Sequence, residues 1–130
     1  MSGENNLSVL LQHASPEHNP GKYVFCTLAA PTADLKEQAL LTMREAEGTT
    51  LVLPQEIADK HGVRYEYIAG WITLKIHSSL AAVGLTAAFS RALAAKGISC
   101  NVVAGYYHDH IFVAHEDTAR AMDVLSHLGE

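Results

Sequence analysis

Basic residues are few and nowhere clustered in this 130-residue chain. Nine Lys and Arg stand against fourteen Asp and Glu, a formal charge of -5 at pH 7. That balance offers no electrostatic footprint for nucleic acid or an anionic membrane surface, so neither is expected as a partner. Long apolar runs are missing as well. None approaches the roughly 20 residues a membrane helix needs, and the opening MSGENNLSVLLQH lacks the basic region and apolar stretch of a signal peptide. A cytoplasmic location is the expectation. Cysteine is limited to Cys26 and Cys100, too few for a disulfide framework or a zinc ribbon. Each lies in an apolar strand-like run and reads as a buried, reduced thiol.

Apolar residues are plentiful. At 48% hydrophobic and 18% charged, the chain can bury a core as one compact unit or two very small ones. KYVFCTL (22–28) reads as a strand bounded by Pro20-Gly21 and Pro31. ALLTMREAEGTTLVL (39–53) reads as two strands with a turn at Glu45-Ala46-Glu47-Gly48, and PQEIADKHG (54–62) as a short helix with Pro at its start and Gly62 as its stop. LSVLLQH is open between helix and strand. In the second half GWITLKIH (70–77) is a strand. Val83–Lys96 is an amphipathic helix with Leu85, Phe89, Ala92 and Leu93 on one face, closed by Gly97. ISCNVVAGYY (98–107) and HIFVA (110–114) are strands. Glu116–Leu128 is a last helix with Thr118, Met122 and Leu125 aligned.

The two halves repeat one order of elements. LVLPQEIADKHG (51–62) falls on IFVAHEDTARAM (111–122), and KYVFCTL falls on GWITLKI. The repeated strand–helix–strand–strand–helix is the split βαβ arrangement, so the expected class is α+β: two ferredoxin-like (βαββαβ) units in tandem, residues 1–67 and 68–130, each an antiparallel sheet with helices on one face. The second half runs out of sequence before its closing strand, which must come from the first half or another subunit. Two small sheets with open edges and faces predict packing of the halves and dimerisation.

Two stretches could carry chemistry. In HSSLAAVGLTAAF (77–89) a strand ends, Gly84 permits a tight turn and a helix begins. Free N–H groups there suit a small anionic or zwitterionic ligand, although ordinary capping by Ser78 or Ser79 accounts for the same residues. In AGYYHDHIFVA (104–114), strand alternation puts His108 and His110 on one face and Asp109 on the other. A metal needs three or four ligands, and neither HExxH nor CxxC accompanies the pair, so no metal is expected. Catalysis needs a positioned partner, and no GxSxG or oriented base is present. Asp109 reads either as an Asx-type turn residue or as a carboxylate that receives a ligand's ammonium group.

Residues 68–130, through HSSLAAVGLTAAFSRALAAKGISCNVVAGYYHDHIFVA and the final helix, resemble the ACT domain as found in the regulatory tails of aspartate kinases and in tandem amino-acid sensors. The whole chain, with REAEGTTLVL and PQEIADKHG, resembles a bacterial family of small tandem-ACT proteins. The resemblance implies a non-catalytic regulatory protein without cofactor. An amino acid or similar metabolite is held where ACT units meet, in a homodimer or higher homo-oligomer, and the signal passes to a separate protein partner. The implied ligand contacts are Ser78, Ser79, Val83, Gly84 and Leu85 from the strand–helix loop, Asn101 and Val102 from the following strand, and Asp109 from the hairpin. Ala81-Ala82 stand where an acid would favour a basic ligand. The first half has no Gly-bearing strand–helix loop and reads as a structural partner. The alternative is a scaffold or protein-interaction module that keeps the fold without the ligand.

Overall fold

A computed structural model describes residues 6–76 and 82–130. The elements in order are α1 (Leu7–His13), β1 (Ser15–Leu28), α2 (Ala33–Gln38), β2 (Leu41–Glu45), β3 (Gly48–Pro54), α3 (Gln55–Lys60), β4 (Ile68–Lys75), α4 (Leu85–Ala94), β5 (Asn101–Ala104), β6 (Asp109–Ala114), a 3-10 turn (His115–Asp117) and α5 (Thr118–Leu125). They form two compact units, one of residues 1–20 with 70–130 and one of residues 21–69.

In the larger unit the strands lie in the order β1, β4, β6, β5. Alternation along β4 sends Ile72, Leu74 and Ile76 to one face. There they meet Ile111 and Val113 of β6, Leu85, Phe89 and Leu93 of α4, Ala121 and Leu125 of α5, and Leu10 of α1. Both long helices therefore cover the same face, as the ferredoxin-like arrangement requires. The apolar spacing of α4 explains its burial: Leu85, Phe89 and Leu93 fall four residues apart on one stripe.

The closing strand of this unit comes from the first half of the chain. Ser15–Pro20, the beginning of β1, lies beside β4. Glu17 meets Lys75 at 2.8 Å, and Asn19 meets Thr73 at 2.9 Å. The pairs cross in opposite senses, so the strands are antiparallel. The expectation that Pro20-Gly21 bounds this strand is corrected: β1 runs through both residues. Proline already carries an extended-compatible φ, and Gly21 takes a φ of +107°, a conformation glycine adopts without strain.

The smaller unit orders its strands β2, β3, β1. Val24 pairs with Leu53 and Cys26 with Leu51, and these side chains form a core with Leu35 and Ala58. β2 and β3 turn at Ala46-Glu47, with Glu45 opposite Gly48. The polar stretch after β1 contains a helix that periodicity did not show. α2 buries only Leu35, and it is fixed by the Thr32 hydroxyl, which accepts from the Leu35 N–H at 3.2 Å. The final helix also begins later than expected, at Thr118 after the 3-10 turn.

Candidate functional site

Antiparallel β4 and β6 bring the two chemically suggestive stretches to one end of the larger unit. The Thr73 hydroxyl lies 3.2 Å from His110 Nδ1. Moving toward the end of β4 therefore means moving back along β6, so the end of β4 lies beside the start of β6 at His108 and Asp109. Alternation places Asp109 on the side of Ile111 and Val113, the face covered by α4.

At the start of α4, Gly84 is the N-cap with φ +97°, and no side chain caps the helix. The Gly84 carbonyl accepts from the Ala88 N–H at 2.9 Å. The first N–H groups of any helix lack intrahelical partners, so those following Gly84 are available to a carboxylate. Val83 is 84% exposed, whereas Leu85 is 4% exposed and gives its side chain to the core. Leu85 thus has only its backbone to offer. Leu7 of α1 lies close to Gly84: a Cβ there would be 3.2 Å from its Cδ2. Ser78 and Ser79 lie outside the described residues.

The hairpin between β5 and β6 turns at Tyr106-Tyr107, where the Gly105 N–H donates to the His108 carbonyl at 2.9 Å. Ala104 stands opposite Asp109, and Asn101 opposite Phe112. Val102 packs against the core, but Asn101 shares the opposite face with Phe112, and its amide donates to the Phe112 carbonyl at 3.5 Å. Leu85 and Val102 thus belong to the helix-covered side, Asp109 shares that side by alternation, and the Asn101 side chain turns to the other face.

Asp109 is half-buried, and burial pushes its carboxyl pKa up; His110 and then His108 oppose that rise. Among the described residues its carboxylate has no hydrogen bond and no ion pair. The alternating face holds a network that sequence reasoning missed. The Trp71 indole N–H donates to His110 Nδ1 at 3.0 Å, and Asn19 donates to Thr73. Among the described residues no group of three or more His, Cys, Asp or Glu could hold a metal ion.

The sequence matches ACT-domain profiles over residues 2–70 and again over residues 66–127. The chain belongs to the ACT-domain family. It is 47% identical to a Vibrio cholerae protein described as of unknown function and a possible transport protein, with a TM-score of 0.87 over 95% of this chain and 96% of the other. A protein from Agrobacterium tumefaciens is 22% identical, with a TM-score of 0.67 over 89% of each chain. The ligand-free regulatory subunit of aspartate kinase from Thermus thermophilus shares the fold at 7% identity, with a TM-score of 0.61 over 88% of this chain and 97% of the other. No curated protein matches the sequence. ACT domains are commonly regulatory and bind small molecules such as amino acids. No helix among the described residues is long and apolar enough to cross a membrane.

Proposed function

We propose that this tandem ACT protein is a non-catalytic, cytoplasmic sensor of an amino acid. Residues 1–67 act as the divergent N-terminal ACT unit and residues 68–130 as the ligand-holding one. The observation that carries the reading is Asp109, a half-buried carboxylate at the start of β6 that has no donor among the described residues. An unpaired charge in a partly desolvated place is unfavourable in the free protein. An ammonium group placed against it gains a charge-assisted hydrogen bond, while the ligand's carboxylate takes the free N–H groups after Gly84. Val83 and Val102 contribute the apolar contacts. Ser78 and Ser79 complete the loop's contribution, and assembly into a homodimer or higher homo-oligomer completes the site. A separate protein partner reads the outcome. No cofactor or metal enters this reading.

A thermal-shift screen against the proteinogenic amino acids tests it, with zinc and a chelator as controls. At a hundred times its dissociation constant a ligand adds about 2.7 kcal/mol of stability. One amino acid, or a chemically related group, is expected to raise the melting temperature, and Asp109→Asn to remove that shift. A flat screen would favour the interaction-module reading instead. Tyr106 and Tyr107, each 76% exposed and packed edge-on at the hairpin tip, supply the surface for that alternative. A melt lowered by the chelator would point to the histidines.

A further inference from the structure

The hydrogen bonds on the sheet face opposite the helices fix the protonation of one side chain. The Asn19 amide meets the Trp71 carbonyl at 3.4 Å and Thr73 Oγ1 at 2.9 Å. A carbonyl only accepts, so the Asn19 atom facing both is the NH2 group, and Thr73 Oγ1 is an acceptor. The hydroxyl proton of Thr73 is then left to point at His110 Nδ1, 3.2 Å away. The Trp71 indole N–H, which can only donate, reaches the same nitrogen at 3.0 Å. Two donors converge on one ring nitrogen. Nδ1 is therefore bare, and the proton of the neutral imidazole sits on Nε2.

The surroundings hold His110 in that state. Burial is the main cause of its lowered pKa; His108 adds to the effect and Asp109 opposes it. On β4 the nearest charge on the same face is Lys75, which is tied to Glu17 of β1 at 2.8 Å. On β5 the residue opposite His110 is Val103, with no charge to offer. Among the described residues no carboxylate makes a hydrogen bond to the ring.

The geometry points to a proton-operated latch on this face: when His110 takes a proton at Nδ1, the Trp71 and Thr73 donors lose their acceptor and the side-chain tie between β4 and β6 opens. A proton there would set N–H against N–H, so the imidazole must turn out of the network. Trp71 then loses this hydrogen bond and the ring contact with His110 beside its stacking, 16° from parallel, on Phe112. The latch is closed at neutral pH and open in acid. It does not depend on the amino-acid reading.

Trp71 is the only tryptophan in the chain, so its fluorescence reports the latch directly. The full-length protein is titrated from neutral pH downward, with emission and far-ultraviolet circular dichroism followed together. A one-proton change in Trp71 emission is expected, with a midpoint below about 6.5, while the dichroism is still native. His110→Asn, which keeps an acceptor but cannot take the proton, is expected to abolish it. Nitrogen-15 NMR of the wild-type imidazole needs no variant and is expected to show Nδ1 unprotonated at neutral pH. The proposal is overturned if Nδ1 carries the proton there. It is equally overturned if the emission holds until the dichroism is lost, or if the same midpoint persists in His110→Asn.

Discussion

The Thr118 hydroxyl fills the space where Gly70 would carry a side chain. A Cβ built on Gly70 would lie 2.0 Å from Thr118 Oγ1 and 3.1 Å from its Cβ. Thr118 is buried, and its hydroxyl donates to the His115 carbonyl at 2.8 Å, so it cannot swing aside without losing that bond. Gly70 thus lets the first turn of α5 lie directly on β4.

Gly70→Ala is expected to destabilise the protein by about 1–3 kcal/mol, the usual cost of overpacking. Denaturant titration measures it. Thr118→Ala in the same chain should recover part of the loss, since the hydroxyl is gone but the 3.1 Å contact remains. A Gly70→Ala variant as stable as wild type would mean that α5 can retreat freely.

Gly70 also shows where sequence reading stops. Residues 70–77 were legible as a strand, and α4, β6 and α5 as elements, because apolar residues recur at the period of the structure they form. The close approach of Gly70 to Thr118 joins residues far apart in sequence and leaves no local trace. The network of Asn19, Trp71, Thr73 and His110 was hidden for the same reason: its bonds span 37 to 54 residues. Ser15–Pro20 was missed because SPEHNP is polar, with two prolines, and becomes a strand only beside β4. Of the candidate site, Asp109 and the Gly84 turn stood out by residue type. The outward direction of Asn101 depended on register, which the spacing alone did not determine.

The two thiols are expected to differ in reactivity. Cys26 is 5% exposed inside the core of the smaller unit, and burial pushes its pKa up. Cys100 is half-buried, and burial raises its pKa too. Both are held away from the reactive thiolate form. With a chromogenic disulfide reagent at neutral pH, Cys100 should react slowly and Cys26 only on unfolding. Two thiols reacting together in the native protein, at the rate of free cysteine, would contradict this burial.

Gly84→Ala should combine strain with crowding. At φ +97° an alanine costs roughly 1–2 kcal/mol, since a Cβ in left-handed backbone meets the following carbonyl. The same Cβ would stand 3.2 Å from Leu7 Cδ2. Leu7→Ala added to Gly84→Ala relieves only the crowding, so the double variant should remain less stable than Leu7→Ala alone. Full recovery would assign the whole cost to Leu7 and leave the backbone argument without support.

Asp109→Asn is expected to raise the melting temperature of the ligand-free protein at neutral pH. Burial raises the folded-state pKa of Asp109 above its ordinary value. The folded protein therefore binds this proton more tightly than the unfolded chain does. Between the ordinary carboxylate pKa and the raised one, stability falls as pH rises, and above both the loss is complete. Asparagine keeps the shape and removes the charge, so the gain should be present at neutral pH. It should fade below the usual carboxylate range, where Asp109 is protonated in both states. Subtracting wild type from variant at each pH cancels the other titrating groups. A lowered melting temperature would reveal a donor to the carboxylate within the fold and return Asp109 to a turn-forming role. A raised one, joined to loss of the ligand-induced shift, is the pattern of a charge kept for binding at the expense of stability.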